Sequence, residues 1–139
     1  MTKKRIAIIG CGRIGQRHAA QIASVGILKA VCDIVPEKAD KLSAANGCNA
    51  YYSIEKLLEV EKELDLISIC TPNGLHAIHA IKSLEAGVNV LCEKPLCIKV
   101  VDGKKMIEVA AKANKKLFVV KQNRYNPPVE FLKKIITEN

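Results

Sequence analysis

The chain has no tryptophan and only two phenylalanines and three tyrosines among 139 residues. Its core therefore has to be built from Ile, Val, Leu, Ala and Cys. At 49% hydrophobic residues there are enough to build one, which excludes intrinsic disorder. A chain of this length buries roughly two thirds of its unfolded surface, so one domain is expected. No apolar run approaches the about 20 residues that cross a bilayer, and no membrane role is expected. The opening MTKKRIAIIGCG has the basic start of an export signal. Its apolar run breaks into glycines before reaching the roughly 7–15 residues such a signal needs. A cytoplasmic protein is expected.

No CxxC pair occurs among Cys11, Cys32, Cys48, Cys70, Cys92 and Cys97. Structural zinc needs clustered ligands and a disulfide framework needs an oxidising compartment, so neither is expected and no metal site is assigned. Most of these thiols lie in or beside apolar runs, where they serve as small hydrophobes. Basic patches interleaved with aromatics are missing too. The net charge of +8, from 22 Lys and Arg against 14 Asp and Glu, is therefore read as solvated helix faces. Lys104, Lys105, Lys112, Lys115 and Lys116 make one such face, and nucleic-acid binding is not expected.

What the chain does have is five short apolar runs: RIAIIG near Arg5, LKAVCD near Leu28, DLISIC from Asp65, VNVLCE from Val88 and KLFVVK from Lys116. They are continuous rather than alternating, as strands covered on both faces are. Asn49 to Tyr52 predicts a further short strand, and Ser53 to Glu63 a helix. Helical periodicity fills most gaps. Ile14, Ala19, Ile22 and Ala23 share one face, as do Met106, Ile107, Ala110 and Ala113, with Asp102 as N-cap. Strand and helix in alternation predict an α/β fold, a doubly wound and mostly parallel sheet.

Gly10-Cys11-Gly12-Arg13-Ile14-Gly15 matches GxGxxG, directly after the first strand and at the start of a helix. In that setting Gly10 permits a tight turn, Gly12 lets backbone approach a pyrophosphate, and Gly15 lets helix and strand pack closely. The helix N-terminus then presents unpaired N–H groups to the phosphates. Arg13 either adds to that charge or is simply exposed. Asp33, 18 residues past Gly15, ends the second strand. It has the spacing of an acid that binds the adenosine ribose and repels a 2′-phosphate, which favours NAD over NADP. The bland alternative is a turn residue before Val35-Pro36.

Ligands of such sheets lie beyond the carboxyl ends of the strands. Cys70-Thr71-Pro72-Asn73-Gly74-Leu75-His76 follows the third long run, with Asn73 able to cap the next helix. His76 and His79 are three apart, and packing or loop support is preferred there to a metal pair. Glu93, Lys94 and Pro95 follow the fourth run. Pro95 limits Lys94 to extended geometry. Lys94 either moves the proton that accompanies hydride transfer or belongs to a surface turn with an ordinary ion pair. Spacing alone leaves the two even.

In this order and spacing GCGRIG with His18, CDIVPEKA, CTPNGLH and CEKP resemble the Gfo/Idh/MocA family of nicotinamide-dependent oxidoreductases acting on sugars and cyclitols. The resemblance spans the whole chain as the N-terminal Rossmann domain. It implies that Lys94 contacts substrate and assists proton transfer. It also implies that Glu93 holds the nicotinamide side of NAD, and that the Lys94–Pro95 bond is cis. Thr71, Pro72, Asn73 and His76 would flank the nicotinamide ribose. Gln122, Asn123, Arg124, Tyr125 and Asn126 are either a polar linker or substrate contacts. The segment resembles that of members acting on UDP-linked N-acetylamino sugars and their uronic acids in surface polysaccharide synthesis. Arg124 would suit a carboxylate or diphosphate.

By the same resemblance residues 1–126 are the NAD-binding domain and 127–139 a helix leading toward a second α/β domain. Val129, Leu132, Ile135 and Ile136 stripe that helix. The second domain would supply a histidine that shares acid–base work with Lys94 and would make the full protein a homo-oligomer. The expected function is hydride transfer between NAD(H) and a sugar or nucleotide sugar, with the fragment inactive alone. The alternative is a stand-alone NAD-binding or redox-sensing module acting through a protein partner.

Overall fold

A computed structural model describes residues 3–138. Six strands alternate with six helices: β1 (Lys4–Ile9), α1 (Arg13–Val25), β2 (Gly26–Cys32), α2 (Pro36–Asn46), β3 (Asn49–Tyr51), α3 (Ile54–Val60), β4 (Leu66–Ile69), α4 (His76–Glu85), β5 (Asn89–Cys92), α5 (Val100–Lys112), β6 (Leu117–Val119) and α6 (Pro127–Glu138). Short 3-10 turns at Asn73–Leu75 and Gln122–Tyr125 precede α4 and α6. The sheet is wholly parallel, in the order β3-β2-β1-β4-β5-β6. Its switch point falls between β1 and β4, where a doubly wound sheet opens a crevice.

Residue alternation along the strands divides the core in two. Ile6, Ile8 and Val31 pack with Ala19 and Ile22 of α1 and Ala39 and Leu42 of α2. Ala7, Ile9, Ile67, Ile69, Val90 and Cys92 face the other way, onto Leu57 of α3, Leu84 of α4 and Met106 of α5. Burying a side chain such as Ile8 contributes about 1.5–3 kcal/mol. The small residues Ala7 and Ala30, both at 0% exposure, let helices approach the sheet where aromatics would not fit.

Four sequence expectations need correction. Ala23 is exposed, because α1 buries only the narrow face of Gly15, Ala19 and Ile22. Ile107 is exposed as well, and Val109 takes the core position on α5. Asp102 lies in the first turn of α5 rather than at its cap, which is Lys99. Asn73 lies inside the 3-10 turn and caps nothing with its side chain. The Ser53 helix does form, with the Ser53 hydroxyl accepting from the Lys56 N–H, but it ends at Val60. The stripe Val129, Leu132, Ile135 and Ile136 lies at the surface of α6.

The register sets up the site. Ile9 pairs with Cys32 and Ile69, Ile69 with Cys92, and Cys92 with Val119, so five strands end level. One more rung extends past each end. Gly10 N–H donates to Cys32 O, Cys70 N–H to Ile9 O, Glu93 N–H to Ile69 O and Val120 N–H to Cys92 O, at 2.7–3.0 Å. The residues that follow therefore emerge along one edge.

Candidate functional site

At the first strand end Gly10 has φ +99°, a left-handed value that an L side chain rarely adopts. A Cβ on Gly15 would stand 2.0 Å from the Gly10 carbonyl oxygen, so α1 can start this close to its loop only without a side chain there. Gly12 differs. A Cβ there would meet nothing within 4 Å, because the space beside it is open. No side chain caps α1 and no acid lies in its first turn, so the first N–H groups of the helix face that opening unpaired. An open cradle with free donors at a positive helix end fits a pyrophosphate. Arg13 and Ile14 line the same opening.

Asp33 joins this loop from the next strand. Its Oδ2 accepts from the Cys11 N–H at 2.8 Å and its Oδ1 from the Val35 N–H at 2.9 Å. The turn reading holds, since the carboxylate shapes its own turn, and the same group stands beside the glycine loop.

The third strand end supplies Thr71, Pro72 and Asn73. Pro72 is exposed, and its carbonyl accepts from the Leu75 N–H at 2.8 Å. His76 is buried at 1% exposure, with Nδ1 2.7 Å from the Pro95 carbonyl and Nε2 2.8 Å from the Thr71 carbonyl. Two carbonyls need two N–H donors, so the imidazolium satisfies both and the neutral ring only one. The ring braces two site loops together. His79 Nδ1 lies 3.1 Å from Thr71 Oγ1. Burial, reinforced by Lys82, lowers the pKa of His79, which leaves it neutral and able to accept from that hydroxyl. Among the described residues no cluster of three or more potential metal ligands forms.

At the fourth strand end the Lys94–Pro95 bond is cis. Glu93 does not pair with the Lys94 ammonium, as an ordinary surface turn would have it. One carboxylate oxygen lies 2.9 Å from His18 Nε2, and the other accepts from the Lys94 backbone N–H at 3.1 Å. Lys94 Nζ has no hydrogen bond or ion pair among the described residues. His18 in turn places Nδ1 2.7 Å from Ser68 Oγ. In the sequence His18 stands beside the glycine motif with no role expected of it. Its place three residues after Gly15, on the face of α1 toward the sheet edge, was the available signal.

These ends enclose a cleft of about 450 Å³. Arg13, Ile14, Thr71, Asn73, His76, Glu93, Lys94 and Gln122 of the expected set line it, together with the unassigned Arg17, His18, Cys70 and Val120. Gly10 and Gly15 pack behind it. Of the polar residues after β6 only Gln122 reaches it. Arg124 and Tyr125 line a separate groove along α6, and the Asn123 carbonyl and side chain accept from Asn126. The sequence placed the segment at one crevice; the 3-10 turn swings its second half away.

Cys11, Cys32, Cys70 and Cys92 do not add a nucleophile. All six are free thiols. Burial pushes Cys11, Cys32 and Cys92 up to about 12, and Cys70, in the cleft wall, up to about 11. At neutral pH they stay protonated.

Comparison with known proteins agrees with this geometry. The profile of the Gfo/Idh/MocA oxidoreductase family, NAD-binding Rossmann fold, matches residues 4–121. UDP-N-acetylglucosamine 3-dehydrogenase of Acidithiobacillus ferrooxidans is 31% identical over 133 residues, which is 96% of this chain and 42% of that protein. The crystal structure of the WlbA dehydrogenase from Chromobacterium violaceum, in complex with NADH and UDP-GlcNAcA, superposes with a TM-score of 0.94. Identity there is 37%, over 99% of this chain and 41% of that one. The Bordetella pertussis WlbA dehydrogenase, also with NADH and UDP-GlcNAcA, gives 0.91 at 37% identity, over 98% of this chain and 43% of that one. The chain thus spans about 42% of the length of the curated relative. It belongs to the Gfo/Idh/MocA oxidoreductase family and has that family's NAD-binding Rossmann fold.

Proposed function

We propose that this chain is the NAD(H)-binding part of a dehydrogenase that moves hydride between the nicotinamide and a hydroxyl or ketone carbon of a nucleotide sugar. A UDP-linked N-acetylglucosaminuronate used in surface polysaccharide synthesis fits best. The observation that carries the reading is the free Lys94 ammonium in the same cleft as the unpaired N–H groups of α1.

Bound there, NAD supplies the hydride acceptor and NADH the donor. The N–H groups of the α1 start and Arg13 hold the pyrophosphate. Asp33 takes the ribose hydroxyls and disfavours a 2′-phosphate. Thr71, Pro72, Asn73 and His76 border the nicotinamide ribose, and Glu93 borders the nicotinamide side. As the neutral amine, Lys94 Nζ takes up the hydroxyl proton when the sugar is oxidised, and as the ammonium it returns that proton on reduction. Gln122, which lines the cleft, orients the substrate; Asn123, Arg124 and Tyr125, turned toward the α6 groove, are assigned to it by the family resemblance alone, where Arg124 would suit a carboxylate or diphosphate. The UDP-GlcNAcA named for the two WlbA dehydrogenases supports that choice.

Titration of the chain with NADH, followed by fluorescence, tests the cofactor half; saturation is expected, and none at millimolar NADH overturns it. In the whole protein Lys94→Ala is expected to lower turnover of UDP-GlcNAcA at least about 100-fold with little change in NADH affinity. The surface stripe on α6 supports a second reading, a NAD-binding module that works through a protein partner. Stable association with such a partner and no turnover would favour it.

A further inference from the structure

Ser68 has no packing reason to be where it is. It lies in the middle of β4, in the centre of the sheet, at 1% exposure. Its neighbours Ile67 and Ile69 belong to the opposite apolar layer, so Ser68 faces α1 among apolar side chains. A buried hydroxyl there costs stability unless it is bonded. Its partners are His18 Nδ1 at 2.7 Å and the Cys70 thiol at 3.6 Å. His18 is itself a polar ring between α1 and the sheet, with a side chain only 17% exposed. Two polar groups in an apolar interface point outward, to Glu93.

We propose that His18 is a positioning residue, oriented by Ser68, that holds the Glu93 carboxylate away from the Lys94 ammonium and so keeps that amine free for substrate. The inference rests on the proposed function for its catalytic meaning. A carboxylate only accepts, so the proton on the His18–Glu93 contact must sit on Nε2. Nδ1 then accepts from the Ser68 hydroxyl in the neutral ring and donates to Ser68 Oγ in the cation. A donor therefore faces Glu93 in both charge states of the ring. Glu93 has its other oxygen on the Lys94 N–H, which leaves it no oxygen without a partner. Without His18, a carboxylate one residue away is released to pair with Lys94 Nζ. Because His18 rides on α1, the latch also joins the helix that starts at the glycine loop to the loop that carries the lysine.

The test uses this chain, isotope-labelled, in solution. In the wild type, long-range ¹H–¹⁵N spectra of His18 should show a proton on Nε2; an Nε2 without a proton overturns the proposal and needs no variant. In His18→Phe, which keeps a ring but no donor, exchange of the Lys94 amide should quicken about 10-fold as its acceptor swings free. The side-chain amine signal of Lys94 should shift with the new ion pair. His18→Gln, whose amide can donate to Glu93, should restore both. Exchange and shift unchanged in a folded His18→Phe protein would overturn the latch. NADH titration of the same samples separates the two ideas: failure to bind in the wild type sinks the function, while the comparison at Lys94 still judges the latch.

Discussion

The Cys11 backbone N–H donates to Asp33 Oδ2 at 2.8 Å, which ties the loop after β1 to the end of β2. The acid is therefore part of the cradle, apart from the ribose contact proposed for it. Asp33→Asn leaves one oxygen where two accepted, from Cys11 and Val35. A loss of about 1 kcal/mol in stability is expected. NADH should bind roughly 10-fold more weakly and NADPH less so or not at all, since the repelling charge is gone. Paired titrations with the two cofactors check it; an unchanged preference would count against the ribose role.

Gly12 and Gly15 offer a cleaner separation of folding from binding. A methyl at Gly15 would collide with the Gly10 carbonyl at 2.0 Å, so Gly15→Ala should cost about 1–3 kcal/mol of stability. At Gly12 the methyl points into open space. Gly12→Ala should melt like the wild type yet lose NADH affinity, because the methyl fills the space proposed for phosphate. Thermal melts and fluorescence titrations on the two variants give the comparison.

His76 is a structural brace. His76→Ala removes the ring that lies 2.8 and 2.7 Å from the Thr71 and Pro95 carbonyls and strands at least one of them. A buried acceptor left unpaired costs about 1–3 kcal/mol, so urea unfolding should register a loss of at least about that size. A change below the error of extrapolation would remove the brace from the account.

Alkali should unfold the protein. The folded pKa values of Cys11, Cys32 and Cys92 are raised from 9.0 to about 12 and that of Cys70 to about 11, chiefly by burial. Between pH 9 and those values the folded chain holds protons that the unfolded chain has lost. Stability is then full below pH 9 and falls as pH rises, by on the order of 1 kcal/mol per pH unit for each thiol. Urea midpoints from pH 8 to pH 11 should drop accordingly, and replacing Cys92 with Ala should flatten the slope. Native-state alkylation at neutral pH should leave these thiols unlabelled.

Much of the fold was legible because its signals are local. Continuous apolar runs, glycine spacing and helical periodicity gave the strand order its raw material, and even the three residues of β3 were visible in Asn49–Tyr51. Errors fell where packing chooses among equals. Ala23 and Val109 differ from their neighbours only by a rotation of their helices, which the sheet sets. The placement of Gly10, Gly12, Gly15, Asp33 and Lys94 in the candidate site was legible for the same reason, since each lies just past a strand end or at the start of a helix.

By itself the chain determined that glycines would open the first helix and that an acid and a lysine would end the second and fourth long strands. These are properties of short stretches, written in spacing and backbone freedom. Only the assembled sheet decided that His18 and Glu93, 75 residues apart, would meet at 2.9 Å and leave Lys94 unpaired. The level strand ends brought those elements together, and no local pattern encodes a contact between a helix that follows β1 and a loop that follows β5, two strands away in the sheet.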